Sequence, residues 1–268
     1  MTIRVVMAGA TGWVGKALVP AILSAEDMAL AGAVSRAAAG KDAGAAVGLA
    51  NAGIIVAASL EEALETPSDV VVDYTKPGAV KQHTLTALAR GRHVVIGTSG
   101  LGAADYAEID AAAKAAGKGV LAAGNFSITA TLMKRFALMA AKYVPDVEVV
   151  DYAKAAKPDA PSGTARELAE LLSEVRGQST ATPQDKTFGV PGTRGAAVGT
   201  GQGVQVHAVR LPSYNLSCEA LFGLPDERLT IRHDAGPSAA PYVAGTLLAI
   251  RKVMEIKGLI RGLDSIIE

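Results

Sequence analysis

The chain has 268 residues, half of them hydrophobic, with 26 basic side chains balanced by 26 acidic ones. That balance gives no bulk electrostatic case for nucleic acid or an anionic membrane as partner. A single cysteine, Cys218, excludes an intrachain disulfide framework or a cysteine-built zinc site, and the four histidines, His83, His93, His207 and His233, show no metal-ligand spacing.

The chain opens on a short apolar strand signal, Ile3-Arg4-Val5-Val6-Met7-Ala8. Gly9-Ala10-Thr11-Gly12-Trp13-Val14-Gly15 follows, then a helical run from Lys16 to Leu23. Strand, glycine turn and helix are the context in which a glycine pattern marks a dinucleotide site, rather than a plain tight turn. The spacing is G-x-x-G-x-x-G, not the commoner G-x-G-x-x-G, but the physical needs are met. Gly9 allows the tight turn, Gly12 lets a pyrophosphate approach the backbone, and Gly15 lets the helix pack close to the strand. The second strand reads Leu30 to Val34, and Ser35-Arg36 follows it. An acid here would grip the ribose 2′-hydroxyl of NAD. A hydroxyl and a guanidinium suit a 2′-phosphate instead, with Lys16 and Lys41 as further positive charge. NADPH is therefore expected over NADH, with Arg36 as a solvated loop arginine the alternative.

The uncharged stretch from Ala43 to Leu60 is broken by Gly44, Gly48, Asn51, Gly53 and Ser59 and does not read as a membrane span. No secretory leader precedes the first strand, so a cytoplasmic location is expected. Strand and helix then alternate. Val70 to Tyr74 runs into the turn Thr75-Lys76-Pro77-Gly78 and a helix from Ala79 to Arg90. Val94-Val95-Ile96 ends at Gly97-Thr98-Ser99-Gly100 before a helix from Ala103 to Ala116, and Gly119 to Ala123 ends at Gly124-Asn125-Phe126-Ser127 before a helix from Ile128 to Tyr143. Such repeats predict an α/β, doubly wound parallel sheet of Rossmann type, with ligands beyond the carboxyl ends of its strands. Those ends carry Tyr74, Thr75, Gly97, Thr98, Ser99, Asn125 and Phe126 as candidate cofactor contacts.

Near residue 146 the rhythm changes. A strand over 147–152, a helix over 166–175, and strands over 204–210, 217–222 and 228–233 predict a second, α+β domain on an open, mostly antiparallel sheet. Residues 177–203 are polar and glycine-rich and read as a long loop. The last helix, Tyr242 to Glu255, is expected to return to the first domain. The expected division is 1–126 with 236–268 for the dinucleotide, and 127–235 for substrate and oligomerisation.

The most informative stretch is Asp159-Ala160-Pro161-Ser162-Gly163-Thr164-Ala165, at the start of the helix after Lys157. Backbone N–H groups of Ser162, Gly163 and Thr164, backed by the helix dipole, make a seat for a carboxylate or phosphate. An ordinary Ser/Thr N-cap explains the local pattern equally. This glycine-loop cluster and this one are expected to face a single crevice.

Taken in order, Gly9-x-x-Gly12-x-x-Gly15, Tyr74-Thr75-Lys76-Pro77, Gly97-Thr98-Ser99-Gly100, Asn125-Phe126-Ser127, Lys157-x-Asp159 to Ala165, His207-x-Val209-Arg210 and Arg228-Leu229-x-Ile231-x-His233 resemble the 4-hydroxy-tetrahydrodipicolinate reductase (dihydrodipicolinate reductase) family across essentially the whole chain. The resemblance implies a nicotinamide cofactor, a homotetramer formed through the second domain, and reduction of a cyclic imine dicarboxylate. The family carries H-H-x-x-K-x-D-A-P-S-G-T, in which the first histidine is held to be the general acid. Here the pair is Ala153-Lys154, and Trp13 replaces the usual arginine of the glycine loop. Lys157 matches the family's catalytic lysine. Buried beside the cationic Lys154, it is the candidate acid, with a pure carboxylate anchor as the alternative. Lys154 would preserve positive charge near the substrate. Ser99 and His233 are further candidate substrate contacts, although a structural role is open for His207 and His233 alike. A diverged paralogue acting on another imine or enoyl carboxylate, and a nucleotide-binding module without catalysis, are the alternatives.

Overall fold

A computed structural model describes residues 2–190 and 192–267. The chain divides into two units: residues up to Ile128 together with those from Ala239 onward, and Thr129–Ser238.

The first unit holds strands β1 (Ile3–Ala8), β2 (Met28–Val34), β3 (Val56–Ala57), β4 (Val70–Asp73), β5 (His93–Ile96) and β6 (Gly119–Ala122). Helices α1 (Gly15–Ser24), α2 (Leu60–Ala63), α3 (Pro77–Ala89) and α4 (Ala103–Ala116) connect them. Strand order is β12-β6-β5-β4-β1-β2-β3, every pair parallel, where β12 is Gly258–Arg261. Strands buried on both faces need near-continuous apolar runs, and Val70 to Val72 and Val94 to Ile96 supply them. Alternate residues feed opposite cores: Val5 and Met7 one, Val6 and Ala8 the other. The chain order reverses between β1 and β4, the switch point at which such sheets take ligands. Helix α7 (Ala240–Lys252) packs in this unit, as the sequence suggests, but β12 was not foreseen. Four residues carry too little periodicity to be read as a strand.

The second unit holds α5 (Ile128–Ala141), β7 (Asp146–Ala153), α6 (Gly163–Val175), β8 (Ala196–Val198), β9 (Val204–Arg210), β10 (Leu216–Leu224) and β11 (Glu227–Ala235). The sheet order is β11-β10-β7-β9-β8, antiparallel except for β7 with β9. Val147, Val149, Asp151 and Ala153 alternate along β7 as its buried side, against Ala165, Leu168, Ala169 and Leu172 of α6. Those four positions, spaced i, i+3, i+4 and i+7, make α6 amphipathic. The stretch 177–203 is not wholly loop. It contains β8, which the sequence conceals because Ala196-Ala197-Val198 is short and glycine-flanked.

Candidate active site

In the first unit the glycine loop lies between β1 and α1. Gly9 has φ +88°, and a Cβ there would collide with the Tyr74 carbonyl. A Cβ on Gly15 would meet the carbonyls of Gly9 and Ala10, so only glycine lets α1 start this close to β1. The Gly12 N–H donates to the Gly9 carbonyl at 3.0 Å, and the Lys16 N–H to the Gly12 carbonyl at 3.0 Å. Among the described residues the N–H groups of Thr11, Trp13, Val14 and Gly15 have no hydrogen-bond partner. Four unsatisfied donors in the loop and at the start of α1 are the donor set that an anion requires. No acid occupies the first turn of α1 to compete for it. The Trp13 side chain is exposed and meets Tyr242 edge-on, ring centroids 5.6 Å apart.

The neighbouring strand ends are tied to this loop. The hydroxyls of Thr11 and Ser35 are 2.6 Å apart, joining the loop to the end of β2. Arg36 is exposed, with no ion-pair partner among the described residues. At the end of β4, Asp73 is fully buried and accepts hydrogen bonds from Thr75, Thr98 and His83. Burial raises its pKa, but the bonds from His83, Thr98 and Thr75 outweigh that and hold it below the usual carboxylate range. Tyr74 turns inward. Its hydroxyl lies 2.8 Å from that of Thr246, and burial pushes its pKa up. The Phe126 side chain is buried, edge-on to Tyr74, so neither ring is presented as an exposed side chain. Asn125 Oδ1 accepts from the Ser127 N–H at 2.8 Å, and Ser99 is exposed.

In the second unit the start of α6 departs from expectation. Ser162 is only 2% exposed. Its N–H donates to Asp151 Oδ2 at 2.7 Å and its hydroxyl to Asp151 Oδ1 at 2.6 Å. The same hydroxyl accepts from the Ala165 N–H at 3.5 Å as N-cap. Ser162 is therefore committed to a buried carboxylate and does not offer its amide to a ligand. The reason is the cost of leaving Asp151 unpaired in a dry interior. Arg210 completes the arrangement, with Nη2 donating to Asp151 Oδ2 and to the Asp159 carbonyl, each at 2.7 Å. The N–H groups of Gly163 and Thr164 have no partner among the described residues. Two partnerless amides, not the expected three, therefore stand at this helix start.

The expected burial of Lys157 against Lys154 is also corrected. Lys154 is exposed, and Lys157 is partly exposed with Nζ 2.6 Å from Asp159 Oδ1. Attraction to an adjacent carboxylate prevails over packing beside a like charge. Ala153 ends β7 fully buried, on the same side as Asp151, paired with Leu216 and Arg210. His233 lies on β11 opposite Cys218, half-buried, and burial pushes its pKa below the ordinary histidine value against the opposing charge of Asp234. His207 is bonded to Glu148 at 2.7 Å, a structural role. Sequence reasoning passed over Asp151, Asp73 and His83. The signal was present for the two acids: each is a charged residue closing an apolar strand run, which folding tolerates only with partners waiting.

Profiles described as "Dihydrodipicolinate reductase, N-terminus" and "Dihydrodipicolinate reductase, C-terminus" match residues 3–126 and 129–267. The chain is 40% identical over 268 residues to the 4-hydroxy-tetrahydrodipicolinate reductase of Desulfitobacterium hafniense, covering 99% of each chain. It is 39% identical to that of Moorella thermoacetica, covering 100% of this chain and 98% of the relative. Among solved structures, dipicolinate-bound dihydrodipicolinate reductase from Paenisporosarcina sp. TG-14 superposes with a TM-score of 0.87 at 33% identity, covering both chains fully. An amine dehydrogenase from Mycobacterium smegmatis, at 16% identity and a TM-score of 0.67, shares the fold.

Proposed function

The chain belongs to the dihydrodipicolinate reductase family, and from that premise we propose that it reduces the cyclic imine dicarboxylate of lysine biosynthesis as a 4-hydroxy-tetrahydrodipicolinate reductase. The family is one of nicotinamide-dependent oxidoreductases. The single observation that carries the reading is the pair of partnerless amide clusters, Thr11 with Trp13 to Gly15, and Gly163 with Thr164, each at a helix start. One suits a pyrophosphate and the other a carboxylate. Dipicolinate bound to the Paenisporosarcina relative is a dicarboxylate of that class.

The residues fit a reduced dinucleotide, and NADPH is the preferred form. Arg36 and the Ser35 hydroxyl favour a 2′-phosphate, because no acid closes β2 to hold a free 2′-hydroxyl. Bound NADPH supplies the hydride. The amides of Gly163 and Thr164, with the dipole of α6, suit a substrate carboxylate, and the exposed Ser99 hydroxyl is a further candidate substrate contact. Charge that develops on the substrate must be quenched by a proton, a contribution of about 10²–10⁴-fold. Ala153 cannot donate one, so Lys157 Nζ is assigned that task, with Asp159 holding the ammonium in place. Lys154 contributes positive charge from the surface.

Consumption of NADPH absorbance with freshly generated lysine-pathway imine tests the function. In the same assay, Lys157→Ala should lower kcat about 10²-fold or more. An unchanged kcat with raised KM would make Lys157 an anchor only. The buried Ala153 favours a second reading, a paralogue acting on another cyclic imine, for which turnover with only such imines would decide. Tight NADPH binding without any turnover would leave a binding module. We expect a cytoplasmic homotetramer, for which the exposed Phe188, Val190, Leu221 and Leu229 of the second unit are contact candidates. Sedimentation at a lower assembly state would remove that expectation.

A further inference from the structure

We propose that His83 is a positioning residue for hydride transfer, acting through the Asp73 carboxylate to set the two loops, 74–76 and 97–99, that receive the nicotinamide end of the cofactor. The inference rests on the nicotinamide-dependent reading above and adds a residue to it.

Asp73 closes β4 with no solvent exposure. Its Oδ1 accepts from the Thr75 N–H at 3.0 Å, the Thr75 hydroxyl at 2.8 Å and the Thr98 hydroxyl at 2.7 Å. The Thr75 N–H also donates to Thr98 Oγ1 at 2.8 Å, so both loops are bound into one unit around a single oxygen. The other oxygen, Oδ2, is held by His83 Nδ1 of α3, at 2.8 Å. An ionised carboxylate only accepts, which places the proton on His83 Nδ1. The loops also interlock sterically, since a Cβ on Gly97 would collide with the Tyr74 ring. A shift in one moves the other.

Removing the imidazole takes away the donor that holds Oδ2, on a carboxylate with no solvent exposure in the folded chain. The carboxylate escapes that state by rotating, and rotation carries Thr75 and Thr98 away from their present positions. The amides of the glycine loop are not bonded to Asp73, and Ser35 is tied to Thr11 instead. The damage therefore falls on ring placement rather than on overall affinity. His83 touches neither substrate nor cofactor in this scheme.

The test uses the full chain with two substitutions. His83→Ala removes the donor. His83→Asn restores it, because the asparagine Nδ2 reaches the place of imidazole Nδ1. The expected result for His83→Ala is a kcat lower by about 10–100-fold, because small misplacement of reacting groups costs that much. Its NADPH dissociation constant, read from Trp13 emission, stays within about threefold of the parent. The isotope effect on kcat with 4-deuterated NADPH rises, and His83→Asn recovers most of the rate. Emission of the bound nicotinamide, which needs no turnover, should differ from the parent in His83→Ala and match it in His83→Asn. A parent-like kcat and emission in His83→Ala would overturn the inference. So would a joint loss of kcat and affinity that asparagine does not rescue. Should His83→Ala not fold, His83→Leu, which keeps volume without a donor, carries the same expectations. If the parent binds NADPH but reduces no imine, the proposed function fails, and the emission comparison alone judges His83.

Discussion

Ser162→Ala separates the two roles open to the start of α6. As a ligand amide, Ser162 would be indifferent to losing its hydroxyl, and as part of a buried lock it would not. The hydroxyl makes a 2.6 Å bond to the Asp151 carboxylate and a 3.5 Å cap to the Ala165 N–H. A hydrogen bond to a buried charge contributes about 1.5–3 kcal/mol. The cap sits at the long limit of hydrogen bonding, so it adds about 0.5–1 kcal/mol, the low end for such caps. The sum is a destabilisation of about 2–4 kcal/mol. The main-chain donor to Asp151 survives the substitution, as do the amides of Gly163 and Thr164. Substrate KM should therefore move less than about threefold once the protein is folded. Urea unfolding followed by far-ultraviolet circular dichroism gives the first quantity, and steady-state kinetics well below the transition gives the second. A stability loss under about 0.5 kcal/mol, the range of ordinary surface substitutions, together with a large rise in KM would refute the lock and return Ser162 to the ligand.

Arg36→Ala should weaken NADPH about 10–100-fold, the loss of one or two charge-assisted bonds, and leave NADH unchanged; equal losses for both, measured by fluorescence titration, would remove the 2′-phosphate role. Gly15→Ala should cost about 1–3 kcal/mol or more of overpacking, because the new Cβ meets backbone carbonyls of Gly9 and Ala10 that have nowhere to move, and NADPH affinity should fall with it. Wild-type affinity in that variant would mean α1 does not need its close approach. His93 accepts the Gly119 N–H at 3.0 Å on Nδ1, which only the neutral ring can do. Burial, then the charge of Lys118, lowers its pKa, against the opposing hydrogen bond to the Val253 backbone and the negative charge of Asp69. A histidine lowered in the folded state binds its proton more readily unfolded, so its contribution is complete above about pH 6.5 and is lost as pH falls toward and through the folded value. His93→Asn, which keeps an acceptor that does not titrate, should flatten the fall of Tm between about pH 7 and pH 5; parallel curves for parent and variant would exclude His93 as a source of that fall.

Much was legible before folding. Glycine spacing after an apolar strand, with strand and helix alternating through residue 141, specifies a parallel sheet and the end at which it takes ligands, because backbone geometry allows few other arrangements of such a pattern. From local chemistry alone the run from Asp159 to Ala165 reads either as an anion seat or as an ordinary helix cap, and Ser162 does cap α6. What local pattern cannot show is how a buried polar atom is satisfied, since its partner arrives from a distant part of the chain. Asp151 finds Ser162 and Arg210 across 11 and 59 positions, and Asp73 finds Thr98 across 25. The distant pairings of Asp151 turned Ser162 from ligand amide to scaffold. Tertiary pairing with β6 likewise adds β12 to a sheet whose other strands lie more than a hundred residues earlier. Hydrophobic period and turn chemistry are properties of neighbours along the chain. Satisfying a buried charge depends on three-dimensional packing, so only the folded protein decides it.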